Sequence, residues 1–248
     1  MRLILVTAWI LAGAALTGGT YWGFLNTPES TVGTLALSAV LALIAVALLS
    51  ITINGAIVVW SSGLSASALQ RVFGRIPSII PGFLVFALFW WIAHRLDTWI
   101  ALRTGGINAW FIARFGWDDA WWFFMGVRFI TTWLRWVLGG LLAVSLMGGM
   151  ASIGWHAGVR PQWLRRAMRP RALLAATLWF VVLIVLPWMY VVPWRPDWVR
   201  PTGAELAFIA GKLSIAAIAM AAGVALMIHE ATRVPVTPID SEAQRIAA

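Results

Sequence analysis

The sequence predicts an all-α membrane protein, a polytopic bundle of six transmembrane helices with an outer-face interfacial helix. Three observations lead to this fold class. Hydrophobic residues make up 61% of the 248 residues and charged residues only 11%, whereas a soluble domain carries roughly 25% charged residues. The apolar residues fall in runs of the length that an α-helix needs to cross a bilayer. No alternating strand pattern is present, and lipid tolerates no unpaired strand edge.

Six apolar runs are the predicted spans. They cover about residues 3–24, 32–60, 79–100, 137–155, 172–192 and 204–229. The first run is longer than the apolar core of a signal peptide, so we expect an anchor helix that is not cleaved. Pro187 is expected to kink the fifth span because it cannot donate a backbone hydrogen bond. Residues 1–232 would form a single transmembrane domain, followed by a cytoplasmic tail at residues 233–248.

Residues 101–136, between the third and fourth spans, are predicted to form an interfacial layer at the outer membrane surface. Arg128 and Arg135 bracket two threonines on one helix face, and bulky aromatic residues cover much of the rest. The favoured interpretation is an amphipathic helix over residues 117–136 that lies in the interface and leads into the fourth span. The alternative is a seventh spanning helix whose arginines line a cavity, which is less favoured because charge within the bilayer is costly.

The distribution of arginine predicts the orientation. The loop 158–171 contains five arginines, and short basic loops stay on the cytoplasmic side of a membrane. We therefore expect a bacterial-type inner (plasma) membrane protein with both termini cytoplasmic. Arg165, Arg166 and Arg169 in this loop are candidate contacts for anionic lipid or for a cytoplasmic protein partner. The net charge of +9 fits this topology better than nucleic-acid binding, which is not expected.

Tryptophan is unusually frequent, with 18 residues, and most of them fall near the predicted outer surface. Such residues usually anchor a helix at the headgroup level, and anchoring is the favoured interpretation. The alternative is a surface where Trp rings and Arg side chains bind a lipid headgroup, a glycan or a partner helix. The candidates for contact with an anionic lipid or ligand are Trp121, Trp122, Arg128, Arg135 and Lys212.

An internal repeat is indicated by two segments, residues 58–74 and 153–169. At an offset of 95 residues they match at Trp60/Trp155, Gly63/Gly158, Leu69/Leu164 and Arg71/Arg166. Each segment would end an inward-running span and lead through a short basic piece into the next span. The hairpins of spans two–three and four–five would then be parallel copies, as in several transporter folds and in some inert bundles.

Few residues suggest chemistry within the membrane. His156 and His229 fall at the predicted cytoplasmic ends of spans four and six, where a facing pair could hold a b-type haem iron. A histidine that hydrogen-bonds its helix end is the favoured interpretation, so no cofactor is predicted. The chain has no cysteine and no pattern of metal-ligand spacing, so no metal site is predicted either. Lys212 is either a functional intramembrane charge or a residue that snorkels to the outer interface.

Small residues predict which helices pack most closely. Spans four and six are rich in glycine and alanine, which let helix backbones approach each other in lipid. Spans three and five carry bulkier side chains and are expected to face the lipid more.

Three functional classes remain. A non-catalytic subunit or scaffold of a larger membrane assembly is favoured, because no catalytic motif is evident and the short basic loops are suited to docking. A small transporter or permease subunit for an anionic or lipid-like solute is the first alternative. The second is a lipid-modifying enzyme at the outer face that uses Asp97, Asp118 or Asp119, although enzymatic activity is not favoured. Membrane lipids and proteins of a membrane complex are the expected partners.

Overall fold

Helices make up all the regular structure of the described chain. The computed structural model describes residues 1–28, 30–116, 120–153, 165, 167–194 and 202–232. Within these residues six helices are long and apolar enough to cross a membrane. The prediction of a multi-pass helical membrane protein with six spans is thereby supported.

The helices are numbered in chain order. α1 covers Arg2–Leu25, α2 Val32–Ser62, α3 Ala66–Phe73, α4 Ile79–Ala101 and α5 Thr104–Phe115. α6 consists of α-helical Trp121–Trp133, a π-helical turn at Leu134–Leu138 and α-helical Gly139–Ile153. α7 consists of α-helical Pro170–Phe180 and π-helical turns at Val181–Val185 and Pro187–Val191, and α8 covers Thr202–Thr232. The helices that could span the membrane are α1, α2, α4, α6, α7 and α8.

Local sequence explains where several helices begin and end. Thr31 and Thr34 form a capping box at the start of α2, in which the Thr31 hydroxyl accepts from the Thr34 amide at 3.2 Å. Gly63 ends α2 with a φ of +76°, a left-handed conformation that favours glycine. Near Pro187 the backbone changes from the α-helical to the π-helical hydrogen-bond pattern, in which an amide donates to the carbonyl five residues earlier. The Val192 amide donates in this way to the Pro187 carbonyl at 3.1 Å.

α1 and α2 form a closely packed hairpin. A Cβ atom at Gly13 would lie 2.1 Å from the Thr52 side chain, and one at Gly55 would lie 2.3 Å from the Trp9 ring. At each glycine, a side chain of the other helix therefore packs directly against the backbone. The Trp9 indole also donates to the Thr52 carbonyl at 3.0 Å, so the pair is fixed in register.

α6 and α8 are the most buried of the spanning helices, as their small residues predict. Within the most apolar 18-residue stretch of each helix, 44% of the residues are buried in α6 and 33% in α8, compared with 22% in α4 and in α7. α8 packs against α1, α2, α6 and α7, and α4 packs mainly against α6. The α1–α2 hairpin and the α4–α6 pair are therefore joined through α8.

The segment predicted to lie in the interface is divided between two elements. α5 has 12 residues and none of them is buried, and at about 18 Å it is too short to cross a bilayer. Trp121, in contrast, begins a helix that continues past the predicted start of span four at residue 137. Its 30-residue apolar part is about 45 Å long, more than the roughly 30 Å of the hydrocarbon layer. The interfacial position of either element stays a prediction.

Several predictions fall on residues outside the described part of the chain. These residues are Asp118, Asp119, His156, Arg166, most of the second copy of the repeat and the tail at 233–248. The first copy of the repeat is described, and there Gly63 turns the chain from α2 into the short helix α3.

Candidate functional site

An ion pair joins α4 to α6. The Arg135 guanidinium, in the π-helical turn of α6, donates to the Asp97 carboxylate of α4, and the two side chains retain 20% and 35% exposure. The same guanidinium lies 5.0 Å from the ring centroid of Trp90. Arg135 was predicted as a ligand contact, whereas the structure gives it a partner within the protein.

Aromatic rings surround this ion pair. The rings of Phe86, Trp90 and Trp136 lie within 6 Å of one another between centroids, at 5.9, 5.8 and 5.9 Å. Such contacts between rings, and between a ring and a guanidinium, add to the burial of apolar area. One nitrogen of Arg135, Nε, is buried without a hydrogen-bond partner. The arginine is therefore held mainly by Asp97 and Trp90.

The other candidates at the start of α6 are exposed. Arg128, Trp121 and Trp122 all face outwards, and the two Trp rings meet edge to face at 4.7 Å. The Arg128 carbonyl accepts the hydroxyls of Thr131 and Thr132 at 3.2 and 2.7 Å. The two arginines of the predicted polar face therefore differ: Arg128 is exposed, whereas Arg135 forms an ion pair with Asp97.

Lys212 stabilises the end of a neighbouring helix. Its ammonium donates to the Val192 carbonyl at 2.6 Å and to the Trp194 carbonyl at 3.0 Å, both at the end of α7. A cation at a helix C-terminus satisfies carbonyls that have no partner in the helix and opposes the negative end of its dipole. These contacts account for a charge about three turns inside α8 without an external ligand.

His229 is joined to α2 rather than to a described histidine. The Trp60 indole donates to Nδ1 of His229, and the two ring centroids lie 4.7 Å apart. Arg2 donates to the Trp60 carbonyl at 3.3 Å, so α1, α2 and α8 meet here. His156, its predicted partner, lies outside the described residues.

A buried polar cluster that sequence reasoning missed connects α2 to the turn before α4. Asn54 is fully buried, and its amide nitrogen lies within hydrogen-bond distance of Ser50, the Arg75 carbonyl and Ser78, at 3.2 to 3.3 Å. Ser50 donates to the Ile76 carbonyl at 2.8 Å. The signal in the sequence is the spacing of Ser50 and Asn54, which places both on one face of an otherwise apolar span.

Exposed arginines gather at the end of the bundle where α2 ends and α7 begins. Arg71, Arg165 and Arg169 are exposed there. Burial, and secondly the charge of Arg71, lowers the pKa of Arg75 from its ordinary value. Repulsion between neighbouring guanidinium groups is relieved when an anionic surface approaches them. This basic end is a candidate surface for lipid headgroups or a protein partner.

A large apolar cavity lies in the middle of the bundle. Its volume is about 660 Å³, and side chains of α1, α2, α4, α6, α7 and α8 line it. Among the described residues, Thr17, Tyr21 and Thr52 line the cavity with a hydroxyl and Trp136 with an indole, and no charged side chain lines it. Sequence reasoning did not find this cavity, because its volume depends on how six helices pack.

No cluster of metal-ligating residues is found among the described residues. No family model matches the chain, and neither a curated protein nor a solved structure is significantly similar to it. Its function is therefore inferred from the geometry of its own residues.

Proposed function

We propose that this protein is a non-catalytic subunit or scaffold of a larger assembly in a bacterial-type inner membrane, with both termini in the cytoplasm. The observation that carries the proposal is the use of intramembrane ionisable groups. Arg135, Lys212 and His229 each bind a group on a neighbouring helix. Functional charges in transporters and pumps face a cavity or an ion pathway, whereas these three hold the bundle together.

The basic end of the bundle supplies a docking surface for this role. Arg165 and Arg169 are exposed beside the start of α7, and they belong to the loop with the highest density of arginine. Charged residues at the edge of an interface steer association and fix the register of the partners. An acidic cytoplasmic segment of another subunit fits this surface.

The test is isolation of the full chain from its native membrane in a mild detergent. We expect a second chain to co-purify at fixed stoichiometry, and its recovery to fall about tenfold when Arg165 and Arg169 are both changed to Gln, since two exposed ion pairs of about 0.7 kcal/mol each together correspond to a factor of ten. The matched control is Arg103→Gln with Arg114→Gln, two exposed arginines at the opposite end. Recovery of the wild-type chain alone, at its own mass, would reject the subunit role.

A lipid-like solute carrier is the second candidate, and the apolar cavity favours it. Its lining holds no charged side chain, so the cavity suits an apolar solute better than an anionic one. Transport of a lipid-like solute between reconstituted vesicles, abolished when the cavity is filled, would establish this candidate.

A further inference from the structure

We propose that the central cavity binds one acyl chain of a membrane lipid, with the ester carbonyl of that lipid at the Thr17 hydroxyl. This site goes beyond the subunit role and does not depend on it. Four features of the cavity carry the inference: its lining and volume, its length, its opening towards lipid, and a hydroxyl without a partner.

The lining and volume suit a hydrocarbon chain. The cavity holds about 660 Å³, within the roughly 300–1,000 Å³ of typical ligand sites. Apart from three hydroxyls and one indole nitrogen, its wall is formed by carbon, sulfur and backbone atoms. No cation lines it to hold a phosphate, so a lipid headgroup would stay outside.

The length of the cavity matches one leaflet. Its lining runs from Ile10 to Tyr21 along α1 and from Trp136 to Met147 along α6. Eleven residues of helix rise about 16 Å, close to half of the roughly 30 Å hydrocarbon layer. An acyl chain of one leaflet spans the same distance.

The cavity is closed at one end and open towards lipid. Ile10, Ile79, Met147 and Ile228 pack together as a buried cluster at its closed end. α1 and α4 border it on the side but make few direct contacts with each other. Phe83 on α4 and Tyr21 on α1 are 60% and 53% exposed, so the opening lies on the outer face of the bundle.

Thr17 offers a hydrogen bond that the protein does not use. Its Oγ1 atom is buried and has no hydrogen-bond partner among the described residues, although a threonine in a helix usually bonds the carbonyl four residues earlier. Thr20 and Thr52 do so, at 2.9 Å to Leu16 and 2.7 Å to Leu48. A buried hydroxyl is rarely left unsatisfied. Thr17 lies about 10 Å from Ile10 along α1, and the carbonyl of an acyl ester inside the cavity would accept from its hydroxyl.

Photolabelling of the purified full chain tests the site. The probe is phosphatidylethanolamine with a diazirine at the end of one acyl chain, in vesicles of phosphatidylethanolamine and phosphatidylglycerol. We expect the labelled peptides to contain Met147 or Ile228, at the closed end of the cavity. Labelling confined to the outer faces of the helices would overturn the proposal, and so would competition by undecaprenol but not by unlabelled phosphatidylethanolamine.

Two neighbouring glycines give a matched pair of variants. A Cβ atom at Gly18 or at Gly19 meets no atom within 4 Å, but only Gly18 lines the cavity. Gly18→Leu should lower labelling of the closed end about tenfold, whereas Gly19→Leu should leave it within about twofold. Gly140→Leu fills the cavity from α6, where a Cβ atom also meets no neighbour within 4 Å. It tests the same site from a second helix, so the result does not depend on Gly18→Leu folding correctly. Equal labelling in Gly18→Leu, Gly140→Leu and Gly19→Leu would refute the site.

The threonines supply a second pair. Thr17→Val keeps the shape of the side chain and removes the proposed donor, and Thr20→Val removes a hydroxyl that bonds its own helix. We expect Thr17→Val to raise the probe concentration for half-maximal labelling about fivefold, and Thr20→Val to leave it unchanged. The role of Thr17 is wrong if the two variants behave alike.

Discussion

Several single ionisable residues of this protein form contacts between neighbouring helices. Arg135 on α6 binds Asp97 on α4, Lys212 on α8 binds the end of α7, and His229 on α8 accepts from Trp60 on α2. A charge is costly within a bilayer unless a partner satisfies it. Each pair is therefore favourable in one arrangement of the helices, and a shift of either helix would leave a charged or polar group unpaired.

The Arg135–Asp97 pair gives the prediction at this scale. Asp97→Asn should lower the free energy of unfolding by about 1–3 kcal/mol, because it leaves Arg135 without a counter-charge. The loss is set below the roughly 3–5 kcal/mol of a fully buried pair because both side chains are partly exposed. Unfolding in detergent, followed by circular dichroism, measures the change.

A double variant separates the ion pair from general damage. Asp97→Asn combined with Arg135→Gln should lose clearly less than the sum of the single variants, since the second change removes the stranded charge. Arg128→Gln, at an exposed position about two turns earlier in the helix, should change stability by less than about 0.5 kcal/mol. Strict additivity of the two losses would show that Arg135 and Asp97 do not interact.

At the scale of the helices, hydropathy predicts most of the fold. Five of the predicted spans coincide with long helices because an apolar run of sufficient length has few alternatives in lipid. Span four is predicted to start at residue 137, whereas the helix that contains it begins at Trp121. Arg128 and Arg135 are the reason that residues 117–136 are predicted to be interfacial, because charge is costly within a bilayer. The partner of Arg135, Asp97, lies 38 residues earlier, and sequence spacing alone does not reveal such a contact.

The end of α7 gives the prediction at this scale. Lys212→Met keeps the length of the side chain and removes the ammonium that holds the Val192 and Trp194 carbonyls. Hydrogen bonds from a charged group contribute about 1.5–3 kcal/mol, so the backbone amides of residues 188–192 should exchange with deuterium at least about tenfold faster. Exchange measured by mass spectrometry tests this. Ser214→Ala, which removes a hydroxyl bonded within α8, is the control, and equal exchange in both variants would contradict the cap.

In the described part of the chain, the α1–α2 and α4–α6 helix pairs are joined through α8, α7 packs against α8, and all six helices line an apolar cavity. The cavity could not be predicted from the sequence, because each lining residue is an ordinary apolar residue of its own helix. For the same reason, the sequence indicates which residues of the candidate site are unusual but not what they contact. The residue types of Arg135 and Lys212 marked them as notable, whereas their contacts depend on the neighbours that tertiary packing brings to them.

The orientation of the bundle gives the last prediction. α2 connects Ser30, before its first residue, with Ser67, in the short helix after its last residue, and both serines are exposed. The arginines near Ser67 and at the start of α7 predict a cytoplasmic position for that end under the positive-inside rule. The chain has no cysteine, so Ser30→Cys and Ser67→Cys each provide a single reactive thiol. An impermeant maleimide should label Ser30→Cys in intact cells and Ser67→Cys only after permeabilisation. The reverse pattern would place the basic end outside and exclude a cytoplasmic partner at Arg165 and Arg169, and labelling of both in intact cells would show that α2 does not cross the membrane.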